Sequence, residues 1–173
     1  MKRERLDSKF FQRDVLVVAP ELLGKRITRR FENGQLQSFV ITEVEAYRGV
    51  DDLACHASKG RTPRTEVMFG RGGLVYVYLI YGIYWMLNFV TGSIDTPQAV
   101  LVRSMKGVTG PGRVSRLLEI DKSFYGEDLF SSNRIWVTDM NMKVEIKQGP
   151  RIGVDYAGDE WGLKPWRFWC ELP

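Results

Sequence analysis

The stretch from Gly73 to Val90 constrains this chain more than any other. Residues 74 to 80 and 83 to 90 are β-branched and aromatic runs on either side of Tyr81-Gly82. Glycine takes the positive φ that a tight turn requires, so the pattern reads as a β-hairpin. A membrane-spanning helix is the competing reading, but it needs about 20 apolar residues in a row. The break at Tyr81-Gly82, the polar Asn88 and the abundance of tyrosine argue against it. Alternate side chains of a strand share a face, which puts Tyr76, Tyr78 and Ile80 on one side and Val75, Val77 and Leu79 on the other. Both faces are apolar: one is expected to pack on a core and the other to present aromatics. Hairpin tips ordinarily carry Asn, Asp or Gly, so the bulky Tyr81 breaks a local rule, and such breaks tend to mark function. On this stretch alone, core or edge packing is the favoured account of the tyrosines.

The chain has 173 residues, 44% of them hydrophobic and 27% charged, which suits one globular domain spanning 1–173. A chain of that length buries about 70% of its unfolded surface. Its two cysteines, Cys55 and Cys170, make no disulfide framework and point to a reducing compartment. The basic start, Met1 to Arg5, leads into Leu6-Asp7-Ser8-Lys9 rather than an apolar run, so no signal peptide is expected. His56 is the single histidine. A zinc site would need Cys55, His56, Cys170 and a carboxylate to converge without any CxxC or HxxxH spacing, and a Ser-His-Asp triad would also depend on His56. No metal or other cofactor is therefore expected, and catalysis should run on carboxylates. The net charge of +4 and the isoelectric point near 9.1 permit nucleic acid as a partner without requiring it.

Along the chain, Asp14 is placed to cap a helix over Val15 to Leu23 that contains Pro20 and stops at Gly24. Lys25 to Phe31 reads as a strand, Asn33-Gly34 as a hairpin turn, and Leu36 to Tyr47 as the longer returning strand. On the return, Glu43, Glu45 and Tyr47 share one face, opposite Val44 and Ala46. Carboxylates two residues apart on a strand lie about 7 Å from each other, either as a tuned base or as a solvated face. Asp51 is expected to start a short helix through Leu53, Ala54 and Ser58 that ends at Gly60. Thr62-Pro63 should open another, reaching about Phe69, with Arg61 and Arg64 beside exposed NH groups that favour a phosphate. Ala99 to Met105 reads as a strand in which Arg103 needs an anionic partner, Glu45 or Glu43. Gly110-Pro111-Gly112-Arg113 opens a helix carrying Val114, Leu117, Leu118 and Ile120 at amphipathic spacing, a second seat for phosphate. Ile135 to Thr138, Lys143 to Lys147, Arg151 to Val154 and Trp166 to Trp169 are short strand candidates. The expected fold is α+β: one domain, a mainly antiparallel curved β-sheet with a protruding β-hairpin and several short helices.

A carboxylate strand, a tyrosine-rich hairpin and basic helix starts together suit an enzyme that draws a base out of a duplex, stacks it between aromatics and holds the flanking phosphates. Several motifs in one order carry a specific resemblance. They are Thr42 to Tyr47 (TEVEAY), His56-Ala57-Ser58, Thr62-Pro63-Arg64, Met68-Phe69-Gly70, Tyr76 to Gly82, Asn88, Gly110-Pro111 and Lys164-Pro165. From about residue 7 to its end, the chain resembles the alkyladenine (3-methyladenine) DNA glycosylase family.

The resemblance implies hydrolysis of the N-glycosidic bond of alkylated or deaminated purines in double-stranded DNA, by a monofunctional enzyme without strand cleavage. Glu45 matches the general base, Arg103 the arginine that helps hold the attacking water, and a backbone carbonyl near Ile152 the third contact of that water. Tyr47, His56 and Tyr78 match the walls that sandwich the flipped base, and Asn88 the side chain that obstructs the 2-amino group of guanine. Tyr81 matches the residue wedged into the duplex. Arg61, Thr62, Ile83, Tyr84, Arg113 and Lys122 match DNA-contacting positions, while Glu43 and Tyr76 inherit no role. The sequence departs from the family at Gly70 to Gly73, where proline is common and where Arg71 adds a charge beside the hairpin; Ile83 and Tyr84 lie at variable positions. A monomeric, minimal bacterial form without a long N-terminal extension, cytoplasmic, nucleoid-associated and not bound to membranes, is expected. The rival readings are a non-catalytic nucleic-acid-binding module and a glycoside hydrolase using Glu43 with Glu45.

Overall fold

The strand that returns from the Asn33-Gly34 turn carries the architecture. In the computed structural model, which describes residues 4–172, nine strands are present: β1 (Arg26–Arg30), β2 (Leu36–Arg48), β3 (Val75–Ile80), β4 (Tyr84–Thr91), β5 (Gln98–Met105), β6 (Val108–Thr109), β7 (Ile135–Thr138), β8 (Lys147–Gly149) and β9 (Arg167–Trp169). The 13-residue β2 pairs with β5 along one edge. On its other edge it pairs first with β1 and then with β9. The main path runs β3-β4-β5-β2-β1-β7, with β6 on β5 and β8 on β9, and all these pairings are antiparallel. The sheet does not close into a barrel.

Short helices sit around this sheet: α1 (Ser8–Phe11), α2 (Val15–Leu22), α3 (Pro111–Leu117) and α4 (Gly158–Gly162). Asp14 caps α2 as expected, its carboxylate accepting from the Leu16 amide at 2.8 Å. Gly110 precedes α3 with φ 102°. The α2 residues Val15, Val18, Ala19 and Leu22 and the α3 residue Val114 are fully buried in one core with Val44, Ala46, Val75, Leu87, Phe89, Val100 and Val102 from the sheet. Strand periodicity then turns the intervening residues to the opposite face. Among the described residues, no helix is long and apolar enough to cross a membrane.

The central hairpin forms, with Ile80 opposite Tyr84 in register. The Ile83 amide donates to the Ile80 carbonyl at 3.1 Å, and both Tyr81 (φ 53°) and Gly82 (φ 66°) take positive φ. Its base is buried and its tip stands clear, with Tyr81 83% exposed.

Several local expectations shift. The helix placed from Asp51 begins only at His56, as a single 3₁₀ turn over His56–Lys59 that ends at Gly60. The N-cap of that turn is Cys55, without a side-chain bond, while Asp52 is fully buried and accepts from the Arg48 and Ala54 amides, which bends the chain before a helix can start. The segment after Thr62-Pro63 likewise becomes helical only over Glu66–Phe69. Lys143 to Lys147 alternates like a strand but finds no partner until Lys147, where β8 meets β9. Arg151 to Val154 is a loop, because Gly153 takes φ 74° and the Arg151 side chain is drawn inward.

Candidate active site

Register sets one row of residues across four strands on the face away from the core: Tyr76 opposite Asn88, Asn88 opposite Leu101, and Leu101 opposite Glu45. Tyr78, Tyr47 and Arg103 stand on the same face. Above the row opens a cleft of about 870 Å³. It is lined by Tyr47, His56, Tyr78, Asn88, Arg103 and Ile152, with Tyr81, Tyr84, Thr62 and Arg113 nearer the hairpin and the basic helix starts. Thus residues from positions 47 to 152 converge on one cleft. Arg61, Ile83 and Lys122 do not line the cleft. The Arg61 guanidinium is engaged by Glu66 and Asp95 and lies over the Phe69 ring.

Glu45 lies beneath the cleft and is fully buried. One carboxylate oxygen accepts from the Ile152 amide at 2.7 Å and lies 3.5 Å from Arg103 Nη1. The other accepts from the Tyr47 hydroxyl at 2.7 Å. At Ile152 the group facing Glu45 is the backbone N–H. A carboxylate offers about four lone-pair sites, so capacity remains for a water. Burial, and then the Glu45 charge, push the Tyr47 phenol well above its ordinary range, so it stays a donor.

The aromatic wall is a packed unit. His56 meets Tyr78 edge-on at 4.5 Å, Tyr76 and Tyr78 are 5.4 Å apart, and the Arg64 guanidinium lies over Tyr78 at 5.1 Å. His56 Nδ1 and the Tyr76 hydroxyl are 2.8 Å apart. Burial, followed by the Arg64 and Lys59 charges, lowers the His56 pKa to about 4, while burial raises that of Tyr76 to about 12. At neutral pH both are uncharged. Tyr76 is buried behind this wall, in the packing role left to it. Asn88 is also buried, with Nδ2 donating to the Tyr76 and Met86 carbonyls at 3.2 and 3.3 Å.

Sequence reasoning missed the framework behind these groups. Asp52 and Arg151 form a fully buried ion pair, with contacts of 2.6 and 2.9 Å. Arg151 also donates to the Ala46 and Trp161 carbonyls and lies 4.8 Å from the centre of the Tyr47 ring. The pair joins the loop leading to His56 to the loop bearing Ile152. Tyr156 on the cleft rim is 70% exposed and donates to the Ala54 carbonyl. Nothing local in the sequence pairs Asp52, which directly follows Asp51, with Arg151, 99 positions further on. Gly112 supports the hairpin, since a Cβ there would come within 2.9 Å of the Tyr84 ring. The unusual loop is taken up by packing: Arg71 pairs with Asp128 at 2.6 Å, and a Cβ on Gly72 would strike the Phe11 carbonyl. Among the described residues, no group of three or more His, Cys, Asp or Glu side chains is placed to hold a metal.

Residues 9–172 match the family model described as methylpurine-DNA glycosylase. Relatives named "Putative 3-methyladenine DNA glycosylase" include one from Wolbachia pipientis wMel, 44% identical with 97% of this chain and 92% of the relative covered. Another, from Methanocella arvoryzae, is 41% identical with 92% and 89% covered. A third, from Psychrobacter cryohalolentis, is 38% identical with 95% and 91% covered.

Proposed function

The chain belongs to the methylpurine-DNA glycosylase family, and from that premise we propose that it excises damaged purines from duplex DNA by water attack under Glu45. The observation that carries this reading is a fully buried carboxylate, faced by Arg103, the Tyr47 hydroxyl and the Ile152 amide, beneath an aromatic cleft. The extruded base stacks among Tyr47, His56 and Tyr78, and Tyr81 fills the gap it leaves in the duplex. Water oxygen bonds to C1′ as the C1′–N bond breaks. The electron pair of that bond leaves with the purine, and a proton of the water passes to Glu45. The carboxylate also stabilises the oxocarbenium-like charge on the sugar. A cationic 3-methyladenine or 7-methylguanine departs neutral and stacks well on electron-rich tyrosines; hypoxanthine or ethenoadenine needs a proton as it leaves. Asn88 discriminates against the 2-amino group of normal guanine. Water is the nucleophile and no amine is required, so the product is an abasic site in an unbroken strand, released by a monomer acting on the cytoplasmic chromosome.

The test is single-turnover base release from duplexes carrying 3-methyladenine, hypoxanthine or ethenoadenine, with wild type beside Glu45→Gln. Loss of the base slows release about 10²–10⁴-fold while lesion binding is retained. Binding without release from any lesion, by folded wild-type protein, would replace this reading with that of a binding module.

A further inference from the structure

Glu43 stands two residues before Glu45 on β2, on the same face, and takes no part in the chemistry above. It is nonetheless firmly held. Its Oε2 accepts from Ser104 Oγ at 2.6 Å, and its Oε1 accepts from Arg167 Nη1 at 3.1 Å. The same Oε1 lies 3.4 Å from Arg103 Nε. An irregularity in the β2–β5 register, where Glu43 pairs with Ser104 while Val44 pairs with Val102, brings Ser104 and Arg103 together around this one carboxylate.

Arg103 is consequently suspended between two carboxylates, 3.4 Å from Glu43 and 3.5 Å from Glu45, and its buried Nε has no hydrogen-bond partner. Other arginine–carboxylate pairs of this protein close to contact distance: 2.6 Å for Arg151–Asp52 and 2.7 Å for both Arg48–Asp14 and Arg13–Glu21. Charge-assisted bonds of this type settle at about 2.7–2.9 Å when nothing opposes them. Here something does. The opposing anchor is itself tied to two segments around the cleft. Arg167 on β9 donates to the Pro150 carbonyl, two residues before Ile152, and Ser104 Oγ accepts from the amide of Gly110 ahead of α3.

We propose that Glu43 is a positioning residue that holds Arg103 off Glu45, so that carboxylate and guanidinium face the attacking water together instead of closing on each other. Without the Glu43 charge the guanidinium collapses onto Glu45 and occupies the lone pairs that the water needs. This inference rests on the glycosylase reading and adds a residue to it.

The experiment measures single-turnover base release, lesion-DNA affinity and melting temperature for wild type, Glu43→Gln, Arg103→Gln and the double variant. Glu43→Gln should slow base release at least tenfold with affinity within twofold of wild type. In the Arg103→Gln background it should change release by less than twofold, because its effect runs through Arg103. Ser104→Ala, which loosens Glu43 without altering charge, should slow release about threefold when Arg103 is present and not otherwise; it carries the same test if Glu43→Gln does not fold. Wild-type rates for Glu43→Gln, or an equal slowing with and without Arg103, overturn the proposal. Wild-type protein that releases no base from any lesion overturns the glycosylase reading and this inference with it.

Discussion

Replacing Asp52 by Asn tests whether a buried ion pair holds the two halves of the cleft together. Both side chains of the Asp52–Arg151 pair are fully buried. The substitution keeps the shape but removes the charge, and turns an amide towards donors: the Arg151 guanidinium and the Arg48 and Ala54 amides. Removing one partner of such a pair costs about 3–5 kcal/mol, because the remaining charge stays buried and uncompensated. Against a typical total of about 5–15 kcal/mol, that is a large share. For a chain of this length it corresponds to a fall in Tm of roughly 6–20 °C. Urea denaturation followed by tryptophan fluorescence reads the change, since Trp161 supplies a carbonyl to Arg151 and Trp166 lies 5.1 Å from its guanidinium. Adding Arg151→Met should restore much of the loss, as apolar replacements of both partners often do. A loss below about 1 kcal/mol for Asp52→Asn would refute the reasoning.

Two further outcomes are expected. The folded-state His56 pKa of about 4 lies below its ordinary 6.5, so the unfolded chain binds the proton more readily. The stability due to the neutral ring is complete above pH 6.5 and is lost as the pH falls towards 4. Part exposure trims it to roughly 2 kcal/mol. Denaturation of wild type and His56→Gln across that range should show this difference; parallel profiles would count against it. Tyr81→Asn should leave stability unchanged or raise it by up to about 1 kcal/mol, since Asn accepts the left-handed conformation more readily. Capture of the flipped base should weaken at the same time, and unchanged excision kinetics would remove the wedge role.

Much of the site could be read before any fold was known. Alternation along residues 43 to 47 and 75 to 80 separated the core face from the cleft face, and the apolar setting of Arg103 called for a carboxylate, for which both Glu43 and Glu45 are present. What stayed hidden lay between distant segments. The Asp52–Arg151 pair spans 99 positions, and the Glu43–Arg167 bond spans 124. The alternation of Lys143 to Lys147 promised a strand, but a strand exists only where a neighbour offers its edge, and that neighbour arrives at Trp169.

The sequence by itself determined the elements whose causes are local: the two arms and left-handed tip of the central hairpin, the Asp14 cap, and the face on which Glu45 and Tyr47 stand. These follow from side-chain period, glycine's freedom at positive φ and the satisfaction of nearby amides. Only the tertiary structure decided that the Ile152 amide meets Glu45, that Asp52 rather than Asp51 organises its loop, and that two carboxylates share Arg103. Buried charges and backbone donors must find partners wherever the fold brings them, and sequence spacing carries no record of that distance.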